Sequence, residues 1–392
     1  MPNVSRKLIV PDQVRVHRYL SSPELGPELL FFSGGSALNK ISRCLKRYTH
    51  HSIHMVTPFD SGGSSAKLRL AFDMPAVGDL RSRIMALADE TVLGQPDVYE
   101  LFSYRLNSTA SRDTLFAELA QLVEGSHPLV QKIVSPMKVL IQTQLAYLKE
   151  RLPADFDLRG ASVGNLIIAG GYLNNREILE PIVFLFSRLV ETLGHVTTII
   201  DEGFHLGVTL RDGQNVIGQH LITGKEVAPL ESPIKDIWLN DGMVAVKPVT
   251  QYLPTDRAAQ ITNAALICYP PGSFFTSIVA NLLVKGVSEA IENNANPKVY
   301  LPNLGNDPEQ LGWSLMDRVR YLIELLLEGE PKLNNHRNVL NWLLLDDRYD
   351  YGEVDERVLQ EWGVQLVKTP LITTKPDRYD EQLVSHALLS FV

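Results

Sequence analysis

The chain has 392 residues, with 37 Lys and Arg residues against 45 Asp and Glu residues and a formal net charge of −8. This length is sufficient for a large core built from two or three structural units. The acidic balance and the lack of a basic tract argue against a nucleic acid or an anionic membrane as the main partner.

The sequence predicts a soluble, cytoplasmic protein without a membrane segment. Residues 1–18 lack the apolar core of a signal peptide, and no stretch approaches the roughly 18 uninterrupted apolar residues of a membrane span. Residues 1–28 are predicted to form an N-terminal leader with one edge strand at residues 13–17. The two cysteines, Cys44 and Cys268, lack metal-ligand spacing, and we expect both to be packed, reduced thiols.

A glycine-containing loop follows the first apolar run. Residues 29–32 (LLFF) predict a buried strand, and residues 38–47 show a helical pattern. Between them lies the first loop, with Ser33, Gly34, Gly35 and Ser36. Glycines allow backbone N–H groups to approach an anion closely, and a helix N-terminus adds unpaired donors. A simple tight turn is the alternative, because the dinucleotide fingerprint G-x-G-x-x-G is absent.

Two further loops repeat this arrangement. Residues 53–56 lead into the second loop, formed by Asp60, Ser61, Gly62, Gly63, Ser64 and Ser65. Residues 265–269 lead into the third loop, formed by Pro270, Pro271, Gly272 and Ser273. Because ligands bind outside the carboxyl ends of parallel strands, the three loops are predicted to converge on one site. Such a site suits a ligand with several phosphate oxygens.

The segment after the second loop contributes further candidates. Leu80, Ile84 and Leu87 recur at helical spacing, which makes Asp79 a candidate N-cap. A second role, compatible with the first, is a carboxylate near the phosphate edge. Arg81 and Arg83 could counter the charge of a ligand. The histidines at positions 50, 51 and 54 lack an acid or cysteine at ligand spacing, which favours a polar surface turn over a metal site.

The remaining chain predicts a doubly wound, mostly parallel sheet in a three-layer α/β/α arrangement. Residues 90–160 show helical periodicity and are predicted to form a cap over the mouth of the three loops. Asn165 enters the next apolar helix, either as its cap or as an amide that contacts ligand. Residues 195–250 alternate as β-hairpins, with strands expected at residues 195–200, 206–211 and 216–223, and with residues 238–239 and 244–246 as further members. A single helix is predicted at residues 277–293.

Six ordered motifs resemble the family of 2-phospho-L-lactate transferase (CofD-like) and the gluconeogenesis factor (YvcK-like). They are FSGGS at 32–36, VTPFDSGGSS at 56–65, GDLR at 78–81, GNL at 164–166, PGSFFTS at 271–277 and NLLVKG at 281–286. The resemblance runs from about residue 29 to the closing helix. Residues 281–291 and 298–303 are especially similar to the gluconeogenesis-factor branch.

The resemblance implies a Rossmann-like domain over residues 29–392 with a nucleotide-diphosphate ligand across the sheet edge. The transferase branch moves a phospholactyl group from a guanosine-linked diphosphate onto a deazaflavin alcohol with Mg²⁺. The gluconeogenesis-factor branch binds UDP-sugars and regulates carbon use and cell-wall growth. The positions that match the family's phosphate and nucleotide residues are Gly34, Gly35, Ser36, Gly62, Gly63, Ser64, Asn165, Gly272 and Ser273.

The sequence departs from the family pattern at the second loop, where Ser61 replaces the second of two acids. Ala161 likewise replaces a histidine ahead of the GNL motif. One carboxylate with substrate phosphates and water can hold Mg²⁺, so Asp60 remains the candidate metal ligand. The preferred hypothesis is therefore a Mg²⁺-assisted transferase that uses Asp60 and Asp79. The alternative is a non-catalytic UDP-sugar sensor, which Ser61 and Ala161 favour. The oligomeric state is also open, with a homodimer among the alternatives.

Overall fold

A computed structural model of the protein describes residues 8–91, 93–224, 227–305, 307–328 and 338–392. Seven parallel strands in the order β11-β10-β9-β8-β1-β2-β3 form the main sheet. They are β1 (Leu29–Ser33), β2 (Ile53–Val56), β3 (His195–Thr198), β8 (Leu266–Tyr269), β9 (Lys298–Tyr300), β10 (Trp342–Asp346) and β11 (Gln365–Thr369). A second, antiparallel sheet has the order β5-β4-β6-β7, with β4 (His205–Leu210), β5 (Asn215–Ile217), β6 (Ile234–Asn240) and β7 (Pro248–Val249).

Helices surround both sheets. Along the first half of the chain they are α1 (Gln13–Ser21), α2 (Asn39–Leu45), α3 (Gly63–Phe72), α4 (Gly78–Leu87), α5 (Pro96–Ser103), α6 (Arg112–Glu124), α7 (Pro128–Gln131), α8 (Met137–Arg151), α9 (Val163–Asn174) and α10 (Glu180–Leu189). The second half contains α11 (Gln219–Thr223), α12 (Thr255–Asn263), α13 (Ala280–Leu282), α14 (Val287–Asn293), α15 (Leu315–Glu328), α16 (Glu356–Glu361) and α17 (Glu381–Leu389). None of these described helices combines the length and apolar character that a membrane span needs.

The central strand β1 is buried on both faces, which explains its unbroken apolar sequence. Leu30 and Phe32 pack on the face shared with the antiparallel sheet, whereas Leu29 and Phe31 pack on the opposite face. A third cluster of buried side chains packs the helices from α4 through α10 against one another. The predicted α/β fold with a doubly wound, mostly parallel sheet is therefore confirmed.

The structure corrects several predicted elements. Residues 13–17, predicted as an edge strand, belong to α1, which buries Val16 and Tyr19. Residues 195–200, predicted within a hairpin, supply β3, which pairs in parallel with β2 at the edge of the main sheet. Residues 216–223 split into β5 and α11, and residues 244–246 lie in the connection between β6 and β7. The helix predicted at 277–293 is interrupted at Gly286, which has a φ of +100°.

Residues 90–160 contain α5 to α8, and α8 packs along α9. Buried side chains of this segment join those of α9 and α10 in one apolar cluster. Arg105, between α5 and α6, reaches the second loop, with its Nη1 atom 3.5 Å from the Oγ atom of Ser64. The segment thus borders the second loop, and its role as a lid over all three loops stays a prediction.

A buried carboxylate fixes the start of the helical segment after β8. The chain forms a π-helical turn at Phe274–Val279, whose first N–H groups need acceptors. Glu309 accepts hydrogen bonds from the backbone N–H groups of Phe275 (3.1 Å) and Thr276 (2.9 Å), and from the Thr276 hydroxyl (2.5 Å). Its side chain is almost fully buried, so water cannot replace these contacts.

We expect Glu309→Ala to lower the free energy of unfolding by about 3 kcal/mol, because it leaves buried donors without an acceptor. Chemical denaturation followed by circular dichroism measures this loss. Glu353→Ala, at an exposed glutamate, is the matched control and should change stability by less than about 0.5 kcal/mol. Similar losses in the two variants would contradict the assigned role of Glu309.

Candidate functional site

The three glycine loops lie around the point where the strand order of the main sheet reverses. From β1 the sheet extends through β2 and β3 on one side and through β8 to β11 on the other. In an open α/β sheet this switch point is where ligands bind, at the carboxyl ends of the strands. The first and third loops follow the adjacent strands β1 and β8, and the second loop follows β2. The topology therefore places all three loops at one edge.

In the first loop, an internal carboxylate occupies a backbone donor. Gly35 has a φ of +54°, and its N–H group donates to the Oδ2 atom of Asp79 at 2.7 Å. The N-cap of α4 is Val77, so the predicted capping role of Asp79 is wrong. A phosphate at the Gly35 N–H group would have to displace this carboxylate. Ser36, the last residue of the loop, is exposed.

Arg83 supports the first loop from the interior. Its guanidinium donates to the Gly35 carbonyl at 3.3 Å and to the Ser42 hydroxyl at 2.8 Å. Burial lowers the pKa of Arg83 to about 10, while the nearby Asp79 carboxylate opposes that shift. At neutral pH the side chain is still a cation, and it brings positive charge beneath the loop.

Polar atoms beneath Gly34 have unused hydrogen-bonding capacity. The buried Ser33 Oγ, Thr57 Oγ1 and Asn281 Oδ1 atoms have no hydrogen-bond partner among the described residues. A Cβ atom on Gly34 would lie 2.9 Å from Thr57 Oγ1 and 2.8 Å from Ser277 Oγ, so only glycine fits there. Unpaired buried polar atoms are rare in native proteins and often mark a ligand or water site. Ser33 belongs to the predicted first loop. Thr57, Ser277 and Asn281 were not predicted as site residues, although all three fall in the recognised motifs.

The second loop is shaped by its own side chains. Asp60 Oδ1 accepts the Gly62 N–H group at 3.0 Å, which closes a turn of the Asx type. Gly63, with a φ of +57°, begins α3. The Ser65 hydroxyl accepts the N–H groups of Val77 (3.1 Å) and Gly78 (3.3 Å), so Ser65 joins the loop to the start of α4. The contact of Ser65 is thus structural. The Asp60 carboxylate accepts a hydrogen bond within the turn, and this contact competes with a role as metal ligand.

Two arginines and an amide lie near the N-terminus of α3. Asn165 and Arg105 contact Ser64 there, whereas Arg81 contacts Asn165. Asn165 Oδ1 accepts Arg81 Nε at 2.8 Å, and Asn165 Nδ2 lies 3.3 Å from Ser64 Oγ. Burial lowers the pKa of Arg81 to about 10, with a further contribution from the like charge of Arg105. The N-cap of α9 is Ser162, so the capping alternative for Asn165 is wrong. Arg105 was not predicted, because only the tertiary fold brings residue 105 to this loop.

The donors of the third loop are engaged within the protein. The Gly272 N–H group donates to the Asn303 Oδ1 atom at 2.7 Å. The Phe274 N–H group lies 3.3 Å from Asp307 Oδ2, ahead of the contacts made by Glu309. Ser273 is half-buried at the start of the π-helical turn. Binding of a phosphate at Gly272 would therefore require Asn303 to move, and the role of Gly272 and Ser273 stays a prediction.

No group of three or more His, Cys, Asp or Glu side chains in the described parts of the chain could hold a metal ion. The buried imidazole of His54 stacks on Phe31 at 5.0 Å and contacts the Ser52 hydroxyl at 3.1 Å. His54 therefore belongs to the buried strand β2 and not to the polar surface turn predicted for these histidines. At Asp60, Mg²⁺ would need phosphate oxygens and water to complete its coordination.

Comparisons with known proteins identify the family. Residues 29–372 match the family described as "2-phospho-L-lactate transferase CofD". The chain belongs to the CofD family. It is 27% identical over 381 residues to the putative gluconeogenesis factor of Thermoanaerobacterium thermosulfurigenes, covering 94% of this chain and 97% of that protein. It is 26% identical to the gluconeogenesis factor of Listeria monocytogenes, at coverages of 94% and 97%.

Solved structures agree with this assignment at the level of the fold. A crystal structure of a UPF0052 family member from Bacillus halodurans superposes with a TM-score of 0.67 at 22% identity. The match covers 93% of this chain and 99% of that protein. The resemblance to the CofD-like and gluconeogenesis-factor family, predicted from ordered motifs, is thereby confirmed.

We expect Gly35→Val to lose nucleotide affinity by at least about tenfold, because the side chain enters the mouth of the first loop and strains a left-handed residue. No atom lies within 4 Å of the added Cβ position, so the fold tolerates the change at a cost of about 1–2 kcal/mol. Isothermal titration calorimetry with UDP- and GDP-linked sugars measures the affinity.

Gly352→Val is the matched control for this strain. Gly352 also has a positive φ, +77°, and open space at its Cβ position, but it lies in the connection after β10. We expect Gly352→Val to lose as much free energy of unfolding as Gly35→Val but to keep the nucleotide affinity of the wild type. Unchanged affinity in Gly35→Val would remove the first loop from the binding site.

Proposed function

We propose that the protein is a nucleotide-sugar-binding regulator of the gluconeogenesis-factor type, with the ligand diphosphate at the second loop. The observation that carries this proposal is the contact set of Arg81, Arg105, Asn165 and Ser64 at the N-terminus of α3. Two guanidinium groups and a helix N-terminus together favour a ligand that carries several negative charges. The unpaired polar atoms beneath the first loop add neighbouring donors and acceptors.

Binding without turnover agrees with the positions of the acids. Asp60 and Asp79 each accept a backbone N–H group of a glycine loop. Ser61, which replaces the second acid of the family pattern, lies 2.8 Å from His220 Nδ1 instead. The curated relatives that span nearly the whole chain also carry the name gluconeogenesis factor. These features support a regulator more than a transferase.

We expect Arg81→Met to weaken the binding of UDP- or GDP-linked sugars by at least about tenfold, since a charge-assisted contact to phosphate contributes about 1.5–3 kcal/mol. Methionine keeps much of the buried volume, so the protein should remain folded. Calorimetry gives the affinities, with Arg112→Met as a control at an arginine that stacks on Phe116. Equal affinities in wild type and Arg81→Met would refute this phosphate site.

A Mg²⁺-assisted transferase is the second candidate, favoured by the description of the CofD family and by the half-buried Asp60 at the sheet edge. Asp60 would hold the cation, which would neutralise charge on the diphosphate. Arg81, Arg105 and the loop N–H groups would orient the phosphates and stabilise developing negative charge. The acceptor would be a hydroxyl group of a second substrate.

Release of nucleoside monophosphate from UDP- and GDP-linked substrates distinguishes the two functions. The assay is run with and without Mg²⁺ and in the presence of a deazaflavin alcohol, whose hydroxyl accepts the transferred group while the nucleoside monophosphate leaves. For a regulator we expect no release by wild type, and only a modest change of affinity in Asp60→Asn, because the amide oxygen can keep the turn. A transferase would release product and lose at least about a hundredfold of its rate in Asp60→Asn. Asp212→Asn is the control, since Asp212 accepts the Gln214 N–H group in a similar turn.

A further inference from the structure

A cavity of about 340 Å³ lies beside the second loop, lined by Ser61, by residues of α3 and by residues of the segments around the antiparallel sheet. Leu70, Met74 and Met243 give it apolar walls. Leu70 is 80% exposed on the outer face of α3. A single exposed leucine is ordinary, but this one borders a concave surface, where it offers an apolar contact to a ligand.

The polar groups of this cavity include both donors and acceptors. Ser61 Oγ accepts the backbone N–H group of His220 at 3.1 Å and lies 2.8 Å from Nδ1 of the same residue. The hydroxyl and the imidazole can each act as donor or acceptor, so this pair offers a ligand both kinds of group. Asp73, exposed at the end of α3, adds carboxylate acceptors.

The charge in the cavity does not suit a second phosphate. Burial and the charge of Arg69 lower the pKa of His205 to about 4, so this imidazole is neutral at physiological pH. The Arg69 guanidinium is directed to backbone carbonyls, among them those of Asp60 (2.9 Å) and Gly203 (2.7 Å). The Asp73 carboxylate would repel an anion. A neutral group with hydroxyls and an apolar face matches these walls.

The cavity and the proposed diphosphate position share the second loop. Ser61 lines the cavity, and Ser64, three residues later, contacts Asn165. A ligand with its diphosphate at the N-terminus of α3 can therefore extend over the loop into the cavity. Arg69 donates to the carbonyls of Asp60 and Gly203, so it joins the second loop to the segment after β3. This contact fixes the wall between the cavity and the proposed diphosphate position.

We propose that this cavity is the sugar subsite, in which Leu70 and Met243 pack on the ring and Asp73 and His220 bind its hydroxyls. The inference rests on the proposed binding of a nucleotide-sugar. A free nucleoside diphosphate would not contact the cavity. Substitutions of these side chains should therefore change the affinity for nucleotide-sugars only.

The test compares UDP with UDP-glucose, and GDP with GDP-mannose, by calorimetry on wild type and Leu70→Trp. The larger indole narrows the cavity from an exposed position, so folding should be unaffected. We expect affinity for the nucleotide-sugar to fall by about tenfold or more while that for the nucleoside diphosphate changes by less than about twofold. Leu25→Trp, at a leucine that is 78% exposed away from the cavity, is the matched control.

Asp73→Asn tests the polar side of the same subsite. Asparagine tolerates the left-handed conformation of this residue, whose φ is +47°, and removes only the charge. It should also weaken the nucleotide-sugar selectively. Equal losses for sugar and diphosphate ligands, or no loss in Leu70→Trp, would overturn the subsite. If wild type binds none of the four ligands, the proposed function itself fails.

Discussion

The site depends on the guanidinium of Arg69, which joins two separate loops. Its side chain is almost fully buried and donates to the carbonyls of Phe59 (3.2 Å), Asp60 (2.9 Å), Gly203 (2.7 Å) and Phe204 (2.8 Å). The first pair lies at the start of the second loop, and the second pair leads from β3 into the antiparallel sheet. Arginine suits this position because its planar fork directs several donors at once. One side chain thus joins the second loop to the segment that enters the smaller sheet.

Carboxylates of the protein occupy positions at which the sequence predicted ligand anions. Asp79 accepts the first-loop N–H group, and Glu309 accepts donors after the third loop. Both contacts provide acceptors for backbone N–H groups that would otherwise lack a hydrogen-bond partner. The cluster around Arg81 differs, because its guanidinium groups meet an amide and a hydroxyl rather than an acid. That difference is why the proposed diphosphate lies at the second loop.

The fold could be predicted largely because its central strands are short, mostly apolar runs that are followed by glycine-containing loops. The strands β1, β2 and β8 follow this pattern, and their shared edge follows from parallel pairing. Three of the four residues of the edge strand β3 are polar, unlike the apolar runs of the central strands, so the sequence favoured an antiparallel hairpin and the partner of β3 was misassigned. At α1 the predicted strand failed because Val14 is exposed while Val16 and Tyr19 share one helical face.

The site was less predictable than the fold, because several of its contacts are tertiary. Asn165 and Gly35 were candidates from their motifs, but the sequence contains no signal that Asp79 bonds to Gly35 instead of capping its own helix. Arg105 lies in a connection with ordinary composition, and its position near Ser64 depends on how α5 to α8 pack on α9. The paired Ser61 and His220 are 159 residues apart. Local periodicity carries no information on such distances.

The pairing of β1 with β8 has a consequence for the order of events during synthesis. Asn281 donates to the Ser33 carbonyl across 248 residues of sequence, and this contact joins the two sides of the switch point. Contacts that close such long loops form late in folding. A ribosome must therefore release most of the chain before the mouth of the first loop is complete. A nascent or truncated chain would carry its glycine loops without a pocket, and ligand could bind only a nearly finished molecule.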